Sequence, residues 1–190
     1  MMITVLQVGF LATNCYIVTD KNNIGAVIDP GEEGDRIIRS IERLGIDCKF
    51  VFLTHGHFDH VGALEEVLSA TGAKLVASSA DSEYGIIPDI EAVEGLVVKV
   101  GDIDFKVLST PGHSKDSVCY LTEGALFTGD TLFFESIGRT DFPGGDLGEM
   151  KKSLKRLRDI QIDNIAVYPG HGNTSSLKHE RENNPFMKML

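Results

Sequence analysis

The sequence contains no tryptophan, only three cysteines and six prolines among 190 residues, and fewer bases than acids, 18 against 28. Cys15, Cys48 and Cys119 are odd in number and unrelated in spacing, which excludes a disulfide framework and leaves each as a small core hydrophobe. No run approaches the roughly 18 apolar residues of a membrane-spanning helix, so no membrane partner is expected. The opening Met-Met-Ile-Thr carries no charged leader followed by an apolar stretch, and a reducing cytoplasm is the expected compartment. A net charge of −10 makes the chain a poor partner for phosphate backbones, so no nucleic-acid partner is expected either. Charged residues at 24% and hydrophobic residues at 42% are globular averages, which excludes a disordered tail or a fibre. For 20.7 kDa, surface scaling gives a folded area of about 8,900 Å² and burial of roughly 70% of the unfolded surface. That is enough for a core without staples.

What is present is punctuated and periodic. Residues 3–8, 16–18 and 25–28 read as short strands, the last stopped by Asp29-Pro30-Gly31. The period then changes: Ile37, Ile38, Ile41 and Leu44 share one face of a helix over 34–44. A buried strand is expected at 49–53, a helix over 61–70 ended by Gly72, and a strand at 74–77. Residues 78–95 have no clear pattern. Strands follow at 96–100, 103–108, 118–122 and 125–128, then a helix over 148–160 and a last strand at 165–168. Lys151, Lys152, Lys155, Arg156 and Arg158 read as the solvated face of that helix. No linker or long repeat divides the chain, so residues 1–190 are expected to form one domain with no separate C-terminal substrate domain. The order of elements suggests two sheets face to face with helices outside.

Three of the six histidines fall within six residues, in Leu53-Thr54-His55-Gly56-His57-Phe58-Asp59-His60, where a strand ends and a helix begins. Such loops are where α/β sheets place ligands. From composition, this string arises by chance in roughly one in a few thousand chains of this length. Pro111-Gly112-His113, Gly129-Asp130 and Pro169-Gly170-His171 are three further strand-end turns in which a glycine precedes a metal-capable side chain. Only His179 is left over, in a polar helix, where it is expected to face solvent. His55, His57, Asp59, His60, His113, Asp130 and His171 offer seven donors, too many for one tetrahedral zinc. His55 and His57 can aim the same way, whereas the side chains of adjacent Asp59 and His60 diverge toward a second ion. Two divalent ions, one carboxylate bridging, absorb all seven and leave a position for water. The chemistry implied is attack of a metal hydroxide on a carbonyl or phosphoryl centre.

These residues resemble the motifs of the metallo-β-lactamase superfamily, in order: Asp29 after a strand, the string from Thr54 to His60, then His113, Asp130 and His171. The resemblance implies an α+β fold, a four-layer αββα sandwich, with the metals at one edge between the sheets. It implies that His55, His57 and His113 bind one ion, that Asp59, His60 and His171 bind a second, and that Asp130 bridges them. Asp59 and Asp130 then serve catalysis as well as binding, and Asp29 and Thr54 orient the imidazoles. The ions are expected to be zinc, with iron or manganese compatible with the same donors.

Within the superfamily the chain is most similar to the glyoxalase II group, through Asn14-Cys15-Tyr16, Gly138-Arg139-Thr140-Asp141-Phe142 and Asn184-Pro185-Phe186. That likeness implies hydrolysis of a small thioester of the S-acylglutathione (hydroxyacylglutathione) type by a metal-bridging hydroxide. Arg139 is the candidate for an anionic substrate group, against a salt bridge with Asp141; Lys178 and Arg181 are weaker candidates. Only 19 residues follow His171, too few for the appended glutathione-binding helices of glyoxalase II. The main alternative is an iron-dependent persulfide dioxygenase, which resembles the same motifs. An RNA-processing nuclease and a non-catalytic metal-binding protein are further alternatives, the former opposed by the charge.

Overall fold

The computed structural model describes residues 1–79, 85–162 and 164–190. Two six-stranded sheets form its centre. The first runs in the order β1 (Met2–Val8), β2 (Thr13–Thr19), β3 (Ile24–Ile28), β4 (Asp47–Phe52), β5 (Lys74–Ala77) and β6 (Ile90–Glu91). The second comprises β7 (Val97–Val100), β8 (Ile103–Ser109), β9 (Val118–Leu121), β10 (Ala125–Gly129), β11 (Ala166–Pro169) and β12 (Ser175–Ser176), again in sequence order across the sheet. Hairpin-linked neighbours are antiparallel, whereas β3 to β6 pair in parallel, as do β10 and β11. Three parallel crossovers carry helices: α1 (Gly34–Leu44), the pair α2 (Phe58–Val61) and α3 (Leu64–Thr71), and α4 (Leu147–Arg158). Helices α5 (Leu177–Asn183) and α6 (Pro185–Lys188) end the chain beside α4.

The strand period of two explains the layers. In β2, Tyr16 and Val18 enter the core between the sheets, while Cys15 and Ile17 face α1 and α3. In β10, Ala125 and Phe127 face inward and Leu126 faces Met150, Leu154 and Leu157 of α4. A strand buried on both faces requires a layer on each side, and the result is the expected αββα sandwich. Phe52 stacks on Phe105 with ring centroids 4.7 Å apart and meets Tyr120 edge-on at 4.9 Å. The folded chain exposes 8689 Å², close to the area expected from its mass. Among the described residues no helix is long and apolar enough to cross a membrane.

The differences from expectation are local. The helix expected over 61–70 is two helices, because the Ala63 N–H donates to Pro30 O instead of continuing the ladder, and a side chain on Gly62 would strike the Gly31 carbonyl. Helix α4 begins at Leu147, where Asp146 accepts the Glu149 N–H at 2.8 Å, and ends two residues short of Ile160. Four of its bases are paired with acids: Lys152 with Glu149, Lys155 and Arg158 with Asp159, and Arg156 with Glu94. The unpatterned stretch 78–95 yields β6, and its residues 80–84 lie outside the described residues.

Polar contacts, among them the Lys21–Asp102 ion pair at 3.2 Å, join the two sheets at the far end of β2. Asp20 accepts the Asn22 and Ile24 N–H groups at 2.8 and 2.9 Å, closing the β2–β3 turn, and the Asp102 N–H of the β7–β8 turn at 3.3 Å. Dehydration opposes its ionisation, but these backbone donors prevail and hold its pKa below the ordinary value. A lowered folded-state pKa means stabilisation that is complete above the unfolded value near 4 and is lost as pH falls through the folded value. Calorimetry is expected to show Asp20→Ala melting below wild type at pH 7, with the gap narrowing below pH 4. A gap independent of pH would contradict the assignment.

Candidate metal centre

Four parallel strands end at the same edge of the sandwich. β3 leads into Asp29, β4 into Thr54–His60, β10 into Asp130 and β11 into His171, while His113 comes from the β8–β9 connection. The sheets close on each other here through backbone. Val118 N–H donates to Thr54 O at 2.8 Å, and Asn14 N–H donates to Gly170 O at 2.7 Å. Gly129 adopts φ 47° against Thr54, and any side chain on Gly170 would collide with the Asp130 carboxylate and the His60 ring. Strand β2 fixes the turn that carries His171: the Asn14 amide donates to Pro169 O and Gly172 O, both at 3.0 Å, and the Tyr16 hydroxyl to Pro169 O at 2.6 Å.

Four of the five imidazoles are aimed by the hydrogen bond on their far nitrogen. Asp29, at φ 52°, accepts the Thr54 N–H at 2.8 Å, the Thr54 hydroxyl at 2.7 Å and His60 Nδ1–H at 3.0 Å. Because the Thr54 hydroxyl gives its proton to Asp29, it accepts from His55 Nδ1–H at 3.1 Å. His113 Nδ1–H donates to Arg139 O at 2.8 Å, and His171 Nδ1–H to Leu11 O at 3.2 Å. A carbonyl or carboxylate can only accept, so this network assigns the proton to Nδ1 in all four rings. Their Nε2 atoms are left pointing into the centre, as lone pairs in the neutral rings and, where His60 and His171 take up a second proton, as N–H groups facing Asp130 and Asp59. His57 is turned the other way and brings Nδ1 to 2.8 Å from His113 Nε2.

The seven side chains singled out from the sequence converge. His55, His57 and His113 form one trio of donors, Asp59, His60 and His171 another, and His55, His60 and Asp130 link them; donor atoms within each trio lie within 4.8 Å. His55 Nε2, His60 Nε2 and Asp130 Oδ1 are buried without a hydrogen-bond partner. These atoms crowd together, His60 Nε2 lying 3.3 Å from Asp130 Oδ1 without a well-formed hydrogen bond, an arrangement that is costly unless a proton or a cation sits among them. The donor set of imidazoles and carboxylates suits a divalent ion. The residues present therefore fit a metal.

The electrostatics keep the two carboxylates ionised and hold His55 neutral, a donor set ready for a cation. Burial lowers the pKa of His55, helped by the four neighbouring imidazoles. Burial acts against protonating His60, yet the charges of Asp29 and Asp130 raise it well above the usual histidine value. Burial likewise opposes ionisation of Asp59, but hydrogen bonds from His171 and the Thr13 hydroxyl and the charge of His60 hold it well below the usual carboxylate range. Asp130 is lowered against burial by His60, His171 and His113.

The centre opens into a cleft of about 710 Å³ with apolar walls that include Leu11, Phe58, Phe133, Phe142 and Pro143. Arg139 lines it, but its Nε and one Nη donate to Asp141 at 2.7 and 2.8 Å, and its guanidinium lies 3.6 Å over the Phe142 ring. Lys178 and Arg181 do not line the cleft; Arg181 donates to the carbonyls of Arg158 and Ile160. His179, expected to face solvent, is half-buried: it stacks on Phe134 and bonds Glu135 at 2.8 Å. Sequence reasoning missed Thr13 and the carbonyls of Leu11 and Arg139. A threonine opening a strand is a faint signal for the first, and a backbone acceptor leaves none.

If Asp29 sets the ring tautomers, Asp29→Asn, whose amide can donate back at His60, is expected to weaken metal affinity about 10–100-fold. Competition with a chromophoric chelator measures this, with circular dichroism as the check on folding; unchanged affinity would contradict it.

Comparison with known proteins agrees with this geometry. Residues 8–171 match the family model described as the metallo-beta-lactamase superfamily. Hydroxyacylglutathione hydrolase GloC of Haemophilus influenzae is 32% identical over an alignment covering 98% of each chain. Among solved structures, ETHE1 from Myxococcus xanthus superposes with a TM-score of 0.88 at 33% identity, covering 97% of this chain and 84% of the other. TTHA1623, solved in a di-iron-bound form, gives a TM-score of 0.86 at 31% identity, covering 96% and 99%. The fold, the strand-edge cluster of histidines and aspartates and these matches together establish that the chain belongs to the metallo-β-lactamase superfamily of metal-dependent hydrolases.

Proposed function

We propose that this protein hydrolyses small thioesters of the S-acylglutathione type at a centre of two divalent ions. The observation that carries the reading is the set of orphaned atoms on His55, His60 and Asp130, lying between two donor trios at the floor of an open cleft. In this reading His55, His57 and His113 hold one ion, Asp59, His60 and His171 hold the other, and Asp130 lies between them. When bound, the ions, zinc in this reading as the name of a zinc-dependent hydrolase relative supports, would lower the pKa of water and polarise a substrate oxygen.

The chain's own residues do the rest. Asp29 and Thr54 fix the directions of His60 and His55, and Thr13 fixes Asp59. Asp59 and Asp130, the carboxyl groups that line the cleft, are both committed to the donor trios, so neither is free to protonate a leaving group. A thiol with a pKa near 8.5 departs as thiolate without such help, unlike an amine or an alkoxide. The paired Arg139 offers little hold on a polyanion, which favours a small substrate over RNA. The name of the Haemophilus relative supports the same substrate class.

A second reading, oxidation of a persulfide at a single iron, is kept open by the likeness to ETHE1; the pair of irons in TTHA1623 supports iron as a metal for this fold but not a single-ion site. Elemental analysis, S-D-lactoylglutathione hydrolysis and oxygen uptake with glutathione persulfide, all on one sample, separate the two. The expected result is two ions per chain, hydrolysis, and no oxygen uptake. Asp130→Ala and His55→Ala are each expected to lower turnover more than about 100-fold, beyond the loss of an orienting partner alone. Near wild-type rates in either variant, or oxygen uptake without hydrolysis, would overturn the proposal.

A further inference from the structure

The cleft has two unlike ends. Beside His57 and His113 lie Phe142, edge-on to His57 at 6.2 Å, and Arg139, whose charge is already matched by Asp141. Beside His171 lie Leu11, whose carbonyl accepts from that ring, and Phe133, whose ring stands 6.0 Å from it edge-on. Phe58, 69% exposed on α2, adds a third apolar side chain to the lining, and Leu11 is 45% exposed. Single exposed hydrophobics need no explanation, but Leu11 and Phe133 together beside His171, in a lining that also holds Phe58, mark a surface that a ligand covers. Leu11 sits in the turn between β1 and β2, held by the Ala12 N–H to Gly9 O contact, so the apolar end is built on a closed turn.

Resting on the thioester reading, we propose that the acyl arm of the substrate lies over Leu11, Phe58 and Phe133, and that the preferred acyl group is apolar and several carbons long. A short hydroxyacyl group would leave these faces wet and would bring its hydroxyl against side chains that neither donate nor accept. Each methylene covered strengthens binding about fourfold, and a chain that only partly fills the end gains less. The thiol arm then points toward Arg139, where Asp141 cancels most of the charge that would select an anion. Selectivity lies in the acyl end.

The test uses the metal-loaded protein and two non-hydrolysable thioethers, S-hexylglutathione and S-methylglutathione, with binding measured by calorimetry. In parallel, kcat/KM is measured for S-acetyl-, S-D-lactoyl- and S-hexanoylglutathione. The hexyl thioether is expected to bind at least about tenfold tighter than the methyl one, and the hexanoyl thioester to be favoured by a similar factor. Leu11→Ser, Phe58→Ser and Phe133→Ala are each expected to cut the preference below about threefold. Val97→Ser, at an exposed position of β7 outside the cleft lining, is the control that keeps it. Equal affinity for the two thioethers, or a preference that survives all three cleft variants with unchanged melting temperatures, would overturn the inference. Hydrolysis of all three thioesters at equal kcat/KM would overturn it too and leave the thioester reading standing. Binding with the hexyl preference but hydrolysis of none would instead remove the thioester reading and keep the apolar end.

Discussion

Two of the imidazoles at the metal centre, and the joint behind them, depend on one buried carboxylate. Asp29 takes the Thr54 N–H, the Thr54 hydroxyl and His60 Nδ1–H, and through Thr54 it also fixes His55. It thereby determines which nitrogen of two imidazoles faces the centre, and in which direction. The same contacts tie the end of β3 to the end of β4, so the joint that shapes the sheet edge also aims the donors. Asp29 holds a left-handed backbone conformation, which aspartate tolerates better than most residues. A strained position with four dependent contacts is a place where fold and chemistry share one residue.

The second constraint is the close approach of the two sheets. Gly129 and Gly170 remove the side chains that would hold the edges apart, and Asn14 and Tyr16 reach from β2 to clasp the turn bearing His171. Each sheet contributes to the centre: Asp59 and His60 follow β4 of the first, whereas Asp130 and His171 follow β10 and β11 of the second. Tyr120 ties the sheets deeper in, donating from β9 to Leu53 O at 2.7 Å, next to the His55 loop. The polar cluster therefore sits on a stiff seam, while the cleft above it is walled by side chains on loops.

Much of this was legible in the sequence because the chemistry is concentrated. A run of His-x-His-x-Asp-His carries four donors in six residues, and glycine-marked turns point to the other three. The sandwich was legible from the order of strands and helices and from the resemblance that the motifs carry. What was illegible has physical reasons. The break between α2 and α3 comes from Pro30 O, a long-range acceptor to which no periodicity responds. The orienting carbonyls of Leu11 and Arg139 are backbone atoms that any residue supplies. His179 looked solvent-facing from its polar helix, but Phe134 and Glu135, distant in sequence, half-cover it. Arg139 shows both of its sequence readings at once, a wall of the cleft and an ion pair with Asp141.

The central claim is that seven side chains, oriented from behind by Asp29, Thr54, Thr13 and two carbonyls, make two adjacent cation sites. Anomalous diffraction at the zinc edge, from crystals of the zinc-loaded protein, tests it most directly. The account predicts two peaks per chain about 3.5–4 Å apart, one among His55, His57 and His113 and the other among Asp59, His60 and His171. A single peak, or peaks away from these side chains, would contradict it.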